Sequence, residues 1–254
     1  MTRIGLLLSL ALLTVFTGTG CNKSQPGPQS ATPAKPAITV DPATAGSISG
    51  VVTFAGPQPK TIALEMSQDP SCPSKPQPAE TFVVKDGKLA NVFVYIKEGL
   101  PQGRFAVPSE PVVLDQKGCR YIPHMLGIMA GQPLKILNTD TADHNVHDMP
   151  TKNPQWNESQ MTGDPPVLKT FPNPEMMLPL QCNQHPWMRA YVNVMPNPYF
   201  AVSAADGTFT IANLPPGEYI VAALHEKLGE QTMKVKVDPK SAAKADFKFA
   251  QGQL

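Results

Sequence analysis

The sequence predicts an all-β chain, and three observations carry that expectation. Proline is abundant at 29 residues, helical periodicity is nearly absent, and short β-branched runs are divided by Gly and Pro. That punctuation belongs to sandwiches and barrels. Candidate strands, in order, cover residues 47–54, 82–85, 92–97, 112–114, 134–138, 190–194, 208–212, 219–225 and 232–237. No segment carries the apolar repeat of a long helix.

The chain opens with a leader over residues 1–21. Arg3 precedes an apolar run at 4–16 broken only by Ser9 and Thr14, and small residues then lead to Cys21. A positive start, a short apolar stretch and small residues before a cleavage point make a secretory signal peptide, too short to span a bilayer. Thr17-Gly18-Thr19-Gly20-Cys21 resembles a bacterial lipobox. The resemblance implies a lipidated Cys21 and anchoring on the periplasmic side of a bacterial membrane, expected to be the outer one. Residues 22–45 are mostly Pro, Ala, Ser, Gln and Thr, with Ile38 and Val40 as the strong apolars. Such a segment buries too little surface to offset its ordering entropy, so a flexible, disordered Pro-rich linker is expected.

About 209 residues remain, enough for one large or two small domains. A formal charge of +1 and the lack of any basic run exclude a nucleic-acid partner. With Cys21 assigned to lipid and Cys182 to a metal, Cys72 and Cys119 are left as a candidate disulfide in an oxidising compartment, two buried free thiols being the alternative. A bridge closing a loop of about 47 residues is worth on the order of 4 kcal/mol on a loop-entropy account.

The chemistry is concentrated in Cys182-Asn183-Gln184-His185-Pro186-Trp187-Met188. Thiolate, imidazole and thioether are soft or borderline donors that favour copper over hard cations. Given 4 Cys, 5 His and 11 Met, a Cys-x-x-His-x-x-Met run arises by chance roughly 0.003 times per chain of this composition. The segment at 178–181 leads into Cys182 and an apolar run over 189–194 follows Met188, so the loop is expected to join two strands. Upstream, residues 131–138 form a Gly turn and a strand that ends in Asn138, and a polar loop then reaches His144-Asn145-Val146-His147. One imidazole from that pair completes a trigonal His, His, Cys set with Met as a weak axial donor, the set of a type 1 (blue) copper site. The residues alone leave His144 and His147 both open.

The His144-Asn145-Val146-His147 motif, with Cys182-x-x-His185-Pro186-Trp187-Met188-Arg189 and the following strand, resembles the cupredoxins of the amicyanin and plastocyanin type, methylamine-utilisation-like proteins included. The resemblance spans roughly residues 112–194. It implies a Greek-key β-sandwich and one mononuclear copper on His144, Cys182, His185 and Met188. It also implies that Asn145 ties the two ligand loops together and that His147 is not a ligand. By the same resemblance His185 lies near the surface, with Pro186 and Trp187 around it as the electron-transfer surface. Met149, Met161, Met176 and Met177 are candidates for a soft patch, though Met is more often core filler.

Two further stretches resemble the carboxypeptidase regulatory-like, transthyretin-like β-sandwich: Asp206-Gly207-Thr208-Phe209-Thr210-Ile211 and Leu214-Pro215-Pro216-Gly217-Glu218-Tyr219. Residues 46–54 resemble that family's first strand. The tail is short for a whole sandwich, so residues 46–105 and 198–254 are expected to build one discontinuous domain around a cupredoxin domain at 106–197. His225 is expected at a solvated strand end, and His124 near the cupredoxin core.

Together these readings anticipate a membrane-anchored periplasmic blue copper protein that carries single electrons between redox partners such as a c-type cytochrome or a dehydrogenase. No nucleophile or carboxylate pair accompanies the site, so no catalytic residue and no enzyme activity is expected. The alternatives are a copper-binding carrier or sequestering lipoprotein, and a structural or binding lipoprotein with an incidental metal site.

Overall fold

The computed structural model describes residues 36–251, and every regular element among them is a β-strand. The leader, Cys21 and most of the linker lie outside the described residues. In the strand Gly46–Ala55 alternate side chains point inward, with Ile48 and Val52 fully buried. It pairs antiparallel with Thr208–Leu214 and parallel with both Ala242–Lys244 and Phe247–Ala250. Gly50 is required where the chain passes from one parallel partner to the next, because a Cβ there would lie 1.9 Å from the Ala245 carbonyl oxygen. A second sheet runs in the order Phe200–Val202, Phe93–Glu98, Gly217–His225, Gly229–Val237. Val94, Ile96, Val221 and Val235 meet Ile48, Val52 and Phe247 in one core between the two sheets.

Residues 112–195 build a second sandwich. One sheet runs Val167–Thr170, Pro133–Asn138, Val112–Gln116, Tyr121–Ile122. The other runs Asn157–Gln160, His144–Asp148, Glu175–Gln181, Arg189–Met195, Met125–Met129. Leu114, Leu134 and Ile136 from the first face Val146, Leu178, Leu180 and Val192 from the second. The two sandwiches touch through a third apolar cluster that joins Phe93, Tyr95 and Ala222 to Met125 and Met195. Met176 and Met177 pack against that cluster, whereas Met149 and Met161 are exposed.

Two expectations need correcting. Residues 36–45 do not behave as free tether: Ala37 bridges Arg104, the Ile38 N–H donates to the Arg104 carbonyl at 2.8 Å, and Val40 packs on the first core. The two strong apolars of the linker supply this anchoring. His225 is not a solvated strand end but 1% exposed, stacked on Phe82 at 5.3 Å between ring centroids.

Between the first sandwich's strands, residues 57–80 leave that core and lie against the second. The short strands Ala63–Leu64 and Gln77–Pro78 pair with each other, and Met66 and Cys72 are buried in the second core. Cys72 is bonded to Cys119, with Cα atoms 5.6 Å apart. This segment positions part of the site.

Candidate metal centre

The strand Glu175–Gln181 ends one residue before Cys182, and Arg189–Met195 begins one residue after Met188. Gln181 pairs with Arg189, so the hairpin register fixes both ends of the loop between them. Inside it the Cys182 N–H donates to the Met188 carbonyl at 3.3 Å and the Met188 N–H to the His185 carbonyl at 2.8 Å. Cys182 and Met188 are both buried, as apolar side chains around a thiol and a thioether favour.

His144 opens the neighbouring strand His144–Asp148, which pairs with Asn157–Gln160 on one side and Glu175–Gln181 on the other. Strand alternation puts His144 and Val146 on the core face. Asn145 reaches across to the Cys182 loop. Its Oδ1 accepts from the Asn183 N–H at 2.8 Å and lies 3.3 Å from Cys182 Sγ, while its Nδ2 donates to Asn157 Oδ1 at 2.7 Å. Tyr121 donates its hydroxyl to the Asn145 carbonyl, fixing the strand start.

The donors converge. His144 Nδ1 lies 2.9 Å from His185 Nδ1, and Cys182 Sγ lies 3.7 Å from His185 Nδ1. Nδ1 or Nε2 of each histidine and the sulfur all fall within 4.8 Å of one another. His144, Cys182 and His185 are 1%, 2% and 3% exposed. Met188 is fully buried in the same core cluster as Cys182.

The outward nitrogens are held as well. His144 Nε2 lies 2.9 Å from Asp140 Oδ2, and His185 Nε2 lies 2.9 Å from Asp69 Oδ2. The Ser71 backbone N–H and the His185 imidazole hold the Asp69 carboxyl below its ordinary range. Burial pulls Asp140 up, but the Cys119 N–H and the His144 imidazole outweigh it and leave that carboxyl lowered too. Burial pushes the His144 imidazole below its ordinary value, so near neutral pH it is the uncharged, ligating form. A carboxylate only accepts, so each Nε2 turns an N–H to its aspartate and each Nδ1 is turned inward. The two Nδ1 atoms face each other at 2.9 Å beside a buried thiol, a cluster of donors turned toward one point.

The donor set fits a soft or borderline metal. Bonds of about 2.0 Å to nitrogen and 2.3 Å to sulfur span both measured separations from a single point. Two imidazoles, a thiol and a buried thioether, with no carboxylate inside the cluster, match copper better than calcium or magnesium.

Other sequence candidates lie elsewhere. His147 is half-buried and bonded to Asn183 Oδ1 at 3.0 Å and Gln155 Nε2 at 2.9 Å. His124 sits on Glu226 Oε1 at 2.6 Å and on the Arg189 carbonyl at 3.0 Å. Pro186 is exposed and Trp187 half-buried, its ring centroid 5.1 Å from that of His185 and its Nε1 donating to the Cys119 carbonyl at 3.1 Å. His185, expected near the surface, is itself 3% exposed, because Asp69 covers its outer edge from a segment tied down through Cys72. Sequence reading missed Asp69 and Asp140. For Asp140 the four-residue spacing to His144 was a weak signal; residue 69 is brought near the site by Met66 packing in the second core and by the Cys72 to Cys119 link.

No family model matches this sequence, and no curated protein matches it. Among solved structures, a copper-containing nitrite reductase from Thermus scotoductus SA-01 aligns with TM-score 0.32 and 20% identity over 39% of this chain. A reduced single-site mutant of amicyanin aligns with TM-score 0.31 and 22% identity over 35%. A purple cupredoxin from Nitrosopumilus maritimus aligns with TM-score 0.29 and 21% identity over 33%. The chain spans 26% of the nitrite reductase, against 86% of the amicyanin and 98% of the purple cupredoxin.

Proposed function

We propose that this chain is a single-site blue copper protein that carries electrons one at a time, anchored by lipid at Cys21 on the periplasmic side of a bacterial outer membrane. The convergence of two imidazole nitrogens and the Cys182 sulfur in a buried cluster carries the reading. A bound copper ion supplies reversible one-electron exchange between its two common states. His144 and His185 would hold it through the ring nitrogens that face each other, Cys182 through its sulfur as thiolate, and Met188 would offer its buried thioether.

The residues around the cluster keep it rigid. Asn145 ties the Cys182 loop to the His144 strand, and the hairpin register sets both loop ends. A site that moves little between two oxidation states exchanges electrons quickly. With His185 covered, electrons pass through Trp187, which touches the His185 ring and lies beside exposed Pro186. A c-type cytochrome or a dehydrogenase docking there is the partner. Near-complete burial of three donors favours retention of the ion over hand-off, so this reading stands ahead of a copper carrier. The chain is assigned no catalytic residue.

In the same reading residues 46–105 and 198–254 form a regulatory-like sandwich with the copper domain at 106–197 inserted, and the segment 57–80 of the sandwich packs on that inserted domain. Pairing of Gly46–Ala55 with Thr208–Leu214 and Phe247–Ala250 supports that division. The test is the visible and electron-spin spectrum of the full chain in detergent after Cu(II) addition. The intense thiolate-to-copper band should appear, and Cys182→Ser should abolish it. A colourless unsubstituted chain would overturn the proposal.

A further inference from the structure

We infer that Asp69 and Asp140 are positioning residues of this centre, and that their carboxylates on the outward nitrogens of both histidines bias the bound copper toward its more highly charged state. The inference rests on the copper reading above and concerns what sets the potential of that site.

The geometry is paired. Each histidine turns one ring nitrogen toward the other and its second nitrogen to a carboxylate, and both outward bonds are 2.9 Å long. Such a bond fixes the tautomer, locks the ring plane and makes the imidazole a stronger electron donor. Both oxygens belong to groups that are themselves held. Asp69 Oδ1 accepts from the Ser71 N–H at 2.8 Å, and Asp140 Oδ2 accepts from the Cys119 N–H at 2.6 Å. The Cys72–Cys119 bridge joins the two supports, since the Cys72 N–H donates to the Asp69 carbonyl at 3.0 Å. Among the described residues neither carboxylate is spent on a Lys or Arg ion pair, so each leaves its negative charge at the rim of the cluster. One electron entering the centre lowers the ion from Cu(II) to Cu(I), and two nearby negative charges oppose that step.

The test is a redox titration with a soluble one-electron mediator, run on the copper-loaded full chain and on Asp69→Asn and Asp140→Asn. An amide oxygen still accepts from Nε2–H, so the ring stays in place while the charge is lost. Outer-shell partners of this kind typically change metal affinity by about 10- to 100-fold. A tenfold loss of preference for Cu(II) over Cu(I) raises the potential by about 59 mV. We expect at least that rise for each variant, with the larger shift for Asp140, whose side chain is 9% exposed against 33% for Asp69. Asp140→Glu, which restores the charge, should return most of the shift. A blue band with unmoved potentials in both Asn variants sinks this inference alone, whereas a colourless unsubstituted chain sinks the copper reading and this inference with it. If Asp140→Asn does not fold, the half-exposed Asp69 position decides. A second readout needs no metal: in the metal-free protein, nitrogen-15 spectra should show the Nε2–H tautomer at both His144 and His185, and Asp69→Ala should disturb His185 only. An Nδ1–H tautomer at both rings would contradict the assignment.

Discussion

Acid should destabilise this protein through His225, a buried group outside the donor cluster. The imidazole is 1% exposed, stacks on Phe82 and lies tilted against Phe249, and its Nδ1 accepts from the Lys227 N–H at 3.1 Å. Burial is the main cause that pushes it down to about 4 from the ordinary 6.5; the charges of His124 and Lys227 add to it and Glu226 opposes it. The folded value lies below the unfolded one, so between pH 6.5 and 4 the unfolded chain binds a proton that the folded chain refuses. The stability this neutral ring contributes is therefore complete above pH 6.5 and is lost progressively as pH falls toward 4. A shift of roughly 2.5 pKa units corresponds to about 3 kcal/mol at pH 4 and about 2 kcal/mol at pH 5. The assay is urea denaturation at pH 7, 5 and 4 of the unsubstituted chain and of His225→Asn, which keeps an acceptor near the Lys227 N–H but cannot titrate. The variant should be less stable at pH 7, and the gap should close by about 3 kcal/mol on going to pH 4. Carboxylates common to both chains cancel in that difference. A gap that does not change with pH would refute the reasoning.

Three further outcomes are expected. His144→Ala should lose the visible copper band while His147→Ala keeps it, because the His147 side chain is bonded to Asn183 and Gln155 and stands outside the donor cluster; absorption after Cu(II) addition checks this. Replacing Cys72 and Cys119 together by Ser should lower stability by about 4 kcal/mol in urea denaturation, since a loop of about 47 residues is released in the unfolded chain, yet leave the band in place. Ile136→Ala, which empties a fully buried position between the sheets of the second sandwich, should cost about 2–5 kcal/mol in the same assay without altering the visible spectrum.

The strands that sequence reading located are those whose β-branched residues alternate, such as Gly46–Ala55 and Gly217–His225, because alternation is the direct print of a half-buried pleat. The ones it missed or truncated break that rule for identifiable reasons. Met125–Met129 carries Gly127 at its centre, where a Cβ would lie 2.5 Å from the Phe200 ring, so close packing between sandwiches excludes the residue that would have marked a strand. Glu175–Gln181 contains Pro179, which has no N–H to donate; its carbonyl instead accepts from the Met149 N–H at 3.0 Å. Ala242–Lys244 and Phe247–Ala250 are strands only because Gly46–Ala55 offers them a parallel edge, a long-range fact that no local window contains. The ligand candidates were legible because thiol, imidazole and thioether crowd into seven residues. Asp69 was not, since it precedes Cys182 by more than a hundred positions and reaches His185 only through tertiary packing.

The same distance carries a consequence for how the centre is built. His144, Cys182, His185 and Met188 all belong to the second sandwich, and on their own they would leave the outer edge of His185 open to solvent. Asp69 closes that edge from a segment that departs after the first sandwich's opening strand and returns before Val84–Lys85. It is pinned by Met66 in the second core and by the Cys72 link to Cys119, whose N–H in turn holds Asp140 on His144. One covalent staple thus stands behind both outward histidine bonds, and Trp187 is hung from the carbonyl of the same Cys119. Whatever fixes Cys119 therefore fixes the two rings and the aromatic that touches one of them. A donor cluster caged in this way has little freedom to rearrange, and Trp187, half-buried against the His185 ring, lies between the cluster and exposed Pro186.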